Sequence, residues 1–183
     1  MEGFDFDRIG NEDAAKLEES FSEEEISSAL FKLNGDKAPG LDGFTIAFWQ
    51  FCWEFVKEEV MSFFREFHER GKFVRSLNTT FLVLIPKKGG VDDLRDFIPI
   101  SLVGDLYKLL AKVLANRLKK VVSNVVSSTQ NAFVEGRQIL DVVLIANETI
   151  DSLITRNESG VLCKLNIEKT YDQLSWNFLL FVM

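Results

Sequence analysis

At 183 residues the chain is long enough for one domain with a core of its own, or for one domain and part of another. A 46% hydrophobic content with 17 Phe excludes a disordered polar chain, and apolar runs such as residues 81–85 fall far short of the roughly 20 needed to span a bilayer. The net charge of −7 argues against a uniformly basic nucleic-acid binder, yet the charge is unevenly spread. Residues 1–70 hold 17 acids against 7 bases, residues 71–137 hold 11 bases against 5 acids, and residues 138–183 hold 6 acids against 3 bases. A basic middle section between acidic flanks is compatible with a local phosphate-binding surface.

The amino terminus, Met1-Glu2-Gly3-Phe4-Asp5, lacks the basic and apolar regions of a signal peptide. Residues 1–20 are acidic, keep no sustained period and read as a tail or linker. Ser22-Glu23-Glu24-Glu25 is a capping box, with Ser22 as the cap and Glu25 three residues on. Ile26, Ala29, Leu30 and Leu33 follow at helical spacing, and Asn34-Gly35 is the stop. One long amphipathic helix is predicted from about residue 45 to 70, with Gly71 ending it. Residues 81–85 form the best strand candidate of the first half, halted by Pro86. A second long helix is predicted from near Leu102. Its buried stripe is Leu106, Leu109, Leu110, Val113, Leu114, Leu118, Val121 and Val122. A third, over residues 138–155, is predicted to bury Leu140, Val143, Leu144, Asn147, Ile150 and Ile154. Residues 157–160 make a turn, residues 161–166 a second strand, and Ser175 caps a last helix.

Five blocks stand in a fixed order along this frame. They are Lys37-Ala38-Pro39-Gly40-Leu41-Asp42-Gly43, Leu84-Ile85-Pro86-Lys87-Lys88-Gly89, Phe97-Ile98-Pro99-Ile100-Ser101-Leu102, Gln130-Asn131-Ala132-Phe133-Val134-Glu135-Gly136-Arg137, and the run from Leu162 through Asn166 to Tyr171-Asp172. The series resembles the front of the reverse transcriptase domain of non-LTR (LINE-type) retrotransposons, especially those of plants. The likeness runs from about Phe21 to the last residue. It implies a predominantly helical α+β fold, a partial right-hand polymerase: fingers over residues 21–158 and the opening strand of the palm over 159–183. An intracellular protein, nuclear or cytoplasmic, is implied too, and Cys52 and Cys163, which match no ligand spacing, read as reduced core thiols, the other reading being a buried disulfide between them.

The resemblance also assigns roles. In the family the strand end matching Asn166 carries an aspartate that ligates both of two magnesium ions, hard cations that want anionic oxygen. Asn offers one neutral carbonyl oxygen, so Asn166 is read as a degenerate catalytic and metal position. From the residues alone, it also reads as an Asn ending a strand and opening a turn. Tyr171 matches the aromatic gate beneath the sugar of the incoming nucleotide; the other reading is a core tyrosine. Lys87, beside Lys88 on a glycine-rich turn, is a candidate for the triphosphate, or a solvated turn lysine. Arg137 is placed near nucleotide and template, or is a surface residue of a first helical turn. Lys37 and Gly40 belong to a loop the family sets beside template RNA. Lys108 and Lys112 lie on a basic helix face that tracks a backbone or is simply solvated. Ile98 stands where the family usually has arginine, a second departure at a working position.

The implied function is therefore that of a retrotransposon RNA-directed DNA polymerase fragment, a nucleotidyltransferase. Its partners are an RNA template, a DNA primer and deoxynucleotides, with no membrane. Asn166 and the lack of a second aspartate motif predict that this truncated chain is inactive alone. The alternative from another class is a non-catalytic nucleic-acid-binding or protein-interaction domain. A sheet strand without neighbours and an uncovered apolar face predict marginal solubility.

Overall fold

Ser22 starts the part of the chain with the most developed core. In the computed structural model, which describes residues 8–72, 74–161 and 173–182, its Oγ accepts from the Glu25 N–H at 3.2 Å and opens helix α2 (Glu23–Phe31). The preceding helix α1 (Asn11–Glu18) occupies the stretch read as tail or linker and buries no residue. Beyond Asn34-Gly35, Thr45 caps α3 (Ile46–Phe51), accepting from the Phe48 N–H at 3.2 Å. A single helix was predicted from 45 to 70. The chain instead leaves helical geometry at Cys52, at φ −90° and ψ 8°, and restarts as α4 (Trp53–Arg70). Gly71 ends α4 at φ 60°, donating its N–H to Phe67 O at 2.8 Å, as a left-handed cap does.

Strand β1 (Thr80–Pro86) falls where a strand was predicted. Its partner β2 (Phe97–Val103) did not, because Pro99 argues against a strand interior and a helix was expected from Leu102. The two form an antiparallel hairpin with Leu84 opposite Pro99 and Val83 opposite Ile100. Among the described residues each strand has only this one neighbour, so a residue lacking an N–H is tolerated in it. The second long helix accordingly starts later, as α5 (Asp105–Val125), with α6 (Ile139–Thr155) and α7 (Trp176–Val182) following. Ser175 does cap α7: its Oγ accepts from the Phe178 N–H at 3.4 Å.

The described residues fall into two compact units, one of them spanning Asn11–Lys120. Its core is Ile26, Ala29 and Leu30 of α2, Ile46 of α3, Trp53, Val60 and Phe64 of α4, and Leu109, Leu110 and Val113 of α5. Burying a side chain such as Phe64 or Ile26 contributes about 1.5–3 kcal/mol. These positions recur every three or four residues, so the stripe is legible in the sequence. The second unit holds the described residues from Val121 onward together with residues 8–10. Here the prediction for α6 needs correction. Its boundaries agree, but it buries no residue: Leu144 is 63% exposed and Ile154 71%. Periodicity marks an apolar face but supplies no partner for it. The helix ends in a Schellman motif, with Asn157 at φ 55° and the Glu158 N–H bonded to Leu153 O at 3.0 Å. The predominantly helical α+β class is as predicted. The second predicted strand, residues 161–166, lies outside the described residues apart from Val161.

Candidate nucleic-acid interface

The loop of residues 37–43 is held by a contact that only glycine permits. A Cβ on buried Gly40 would lie 2.5 Å from Gly104 Cα and 2.9 Å from Val103 C, both backbone atoms. The loop therefore sits directly on the chain entering α5. Gly43 follows at φ 72°, with its N–H on Gly40 O at 3.2 Å, and Asp42 Oδ1 accepts from the Phe44 N–H at 3.3 Å. Lys108 locks the arrangement. Its Nζ donates to Ala38 O at 3.0 Å and to Asp105 Oδ1 at 2.6 Å. Asp105 is buried, and its Oδ2 finds no hydrogen-bond partner among the described residues. Burial pushes its carboxyl pKa up, the nearby Asp42 charge adds to this, and Lys108 opposes it.

Beside this junction lies a recess of about 270 Å³, whose lining includes Asp42, Ser76, Thr79, Gly104 and Tyr107. Of the residues assigned to template, Gly40 and Lys108 thus hold the loop to α5. Lys37 is exposed on the loop and Lys112 half-buried on the helix, where Lys119 and Lys120 are exposed further along.

Lys87 follows β1 directly. Its N–H donates to Asp96 O and its Nζ to Arg95 O, both at 2.8 Å, while Lys88 pairs with Asp96 at 3.3 Å. Arg95 in turn pairs with Asp93 at 2.7 Å and holds that carboxyl below its ordinary range. The two lysines are therefore tied to the returning limb of the hairpin. The Lys87 ammonium has two further donors beyond the one given to Arg95.

Arg137 is not in a first helical turn, since α6 begins at Ile139 with Gln138 as its cap. Its guanidinium reaches back to the end of α5. It donates to Ser127 O at 2.6 Å and Gln130 O at 2.7 Å, and to Ser123 O and Val126 O at 3.3 Å. Ser123 belongs to the last turn of α5, so a cation sits where its carbonyls lack helical partners. The sequence signal for this is weak, because carbonyl acceptors leave no trace in residue identity.

One ionic centre escaped the sequence reading. Arg117 occupies the apolar stripe of α5 with its side chain only 8% exposed. Its Nε and Nη2 grip both oxygens of Glu25 at 2.7 Å, and the guanidinium lies 4.2 Å over the Phe21 ring. It also donates to Leu17 O, Glu19 O and Ser20 O. The Glu25 carboxylate of the capping box is thereby taken by Arg117. A lone arginine in line with Leu110, Val113, Leu114 and Val121 was the available signal.

Asn166 and Tyr171 lie outside the described residues. Among those described, no cluster of three or more His, Cys, Asp or Glu side chains is placed to hold a metal ion. No helix among them is long and apolar enough to cross a membrane.

Comparison with known proteins supplies the class. Residues 85–183 match the family model described as reverse transcriptase (RNA-dependent DNA polymerase), more than half of the chain. Over 165 residues the chain is 32% identical to the "Transposon TX1 uncharacterized 149 kDa protein" of Xenopus laevis. That alignment covers 90% of this chain but 13% of the relative, so the chain spans only a small part of the relative's length. A transposon protein as relative agrees with the likeness to non-LTR elements. With its matched region, its predominantly helical α+β structure and its transposon relative, the chain belongs to the reverse transcriptase family.

Proposed function

We propose that this chain is a template-holding region of a retrotransposon reverse transcriptase that binds nucleic acid without copying it. The observation that carries the reading is the seating of loop 37–43 on the start of α5 through Gly40 and Gly104. A loop so fixed supports the exposed Lys37, and the lysines of α5, as a phosphate-binding surface of defined shape. Residues 21–158 would then be fingers-like and residues 159–183 the start of the palm. Lys87, Arg137 and Tyr171 are the nucleotide-side candidates, with Lys87 and Arg137 sharing donors between the protein's own carbonyls and phosphate.

Catalysis is a different matter. Two magnesium ions need bridging carboxylates, and Asn166 supplies a neutral amide at the position that resembles the family's metal aspartate. The neutral amide does not fit the ions. A titration of the 183-residue chain against single-stranded RNA at two salt concentrations tests the binding claim. Affinity should fall steeply with salt, at a log–log slope of about 0.7 per phosphate neutralised. Binding too weak to measure, or indifferent to salt, would remove the proposal. A second reading, a protein-interaction region, is favoured by one observation: α6 buries none of its apolar side chains among the described residues.

A further inference from the structure

Phe133 is 100% exposed and stands in the left-handed backbone region at φ 65°. Both features are unfavourable for a large aromatic: the conformation is disfavoured for any side chain with a Cβ, and the ring gains nothing from burial. The surrounding loop is nonetheless well fixed. Arg137 ties it to carbonyls at Ser127 and Gln130, and Gln130 Nε2 donates to Ala132 O at 3.1 Å. On the other side Val134 is buried, Val134 O accepts from the Arg137 N–H at 3.3 Å, and Gly136 takes φ 81°. The ring is thus held out on a braced turn.

We infer that Phe133 is a stacking platform for a nucleobase of the bound strand, a positioning residue for template. This rests on the nucleic-acid-binding reading above. An aromatic face accepts any base, because every base has a π-face, and the loop's fixation lowers the entropy lost on stacking. The exposed side chains of the loop itself favour a base over a protein partner. Within the loop, Ser127, Ser128, Thr129, Gln130, Glu135 and Gln138 are exposed and polar; the nearest exposed apolar side chains in the chain, Ile139 and Leu140, belong to the first turn of α6. A protein interface would ordinarily surround such an anchor with further apolar side chains, whereas a base presents a flat face with polar edges.

The test compares the full chain with Phe133→Ala and Phe133→Trp in titrations with a single-stranded RNA oligonucleotide. Loss of one stacked base should weaken Phe133→Ala by about tenfold while leaving the salt slope unchanged, since no phosphate contact is removed. Phe133→Trp should bind like the wild type, and its added tryptophan emission should be quenched on binding. Wild-type RNA binding with Phe133→Ala equally tight would overturn the stacking role alone. Loss of binding in Phe133→Ala through a changed salt slope would also overturn it. Absence of wild-type binding would remove the nucleic-acid reading and this inference together.

Discussion

Arg117 shows how much one side chain can organise. It joins α5 to α2 through a two-pronged ion pair with Glu25, and to the chain from the end of α1 onward through the Phe21 ring and three carbonyls. Truncating it strands the Glu25 carboxylate and frees those carbonyls, so Arg117→Ala should cost about 3 kcal/mol. Arg117→Lys should recover only part of this, lacking the planar fork. Urea denaturation with an unchanged slope would measure both; an Arg117→Ala cost within about 0.5 kcal/mol, the range of ordinary surface changes, would contradict the assignment. Asp105 makes a pH prediction. Its folded pKa is raised by burial, so the stability it lends is fully present below the ordinary carboxylate range and is lost as pH climbs through the raised value. Unfolding of the wild type and Asp105→Asn compared from about pH 4 to about pH 7 should shift in favour of the variant as pH rises. A difference independent of pH would contradict the raised pKa. Neither group was singled out from sequence, because Arg117 and Glu25 lie 92 positions apart and Asp105 acquires its character from burial.

At the scale of elements, what was legible followed local rules. The Ser22 cap, the Gly71 stop, strand β1 and the limits of α6 came from capping chemistry and periodicity, which act within a few residues. Strand β2 was missed because its Pro99 is admissible only beside a single partner strand, and the pairing is not local. The uncovered face of α6 was misread for the same reason: the apolar stripe is intrinsic, its covering is not. In the candidate interface, the two glycines and Lys37 of loop 37–43 were legible as a motif. That Gly40 serves a backbone-to-backbone approach appears only in three dimensions. Gly40→Ala should therefore cost about 1–3 kcal/mol by overpacking and weaken RNA binding by disturbing the loop. Gly43→Ala, with open space but φ 72°, should cost about 1 kcal/mol. Calorimetric melts of the two variants would compare them, and equal costs would contradict the close approach at Gly40.

At the scale of the whole molecule, apolar surface is the dominant feature. Besides α6, the hairpin exposes Phe81, Leu82, Val83, Leu84 and Ile85 along one strand, and α4 exposes Phe55. Such surface should bind a hydrophobic dye in the native state and drive association as concentration rises. A monomeric sizing profile without dye binding would contradict this. The central claim, that the chain holds a primed template without extending it, is tested most directly in one gel. A labelled DNA primer annealed to an RNA template is mixed with the chain, deoxynucleotides and magnesium, then resolved for both complex and primer length. The account predicts a retained, salt-sensitive complex with the primer unchanged. A lengthened primer, or no complex at low salt, would contradict it.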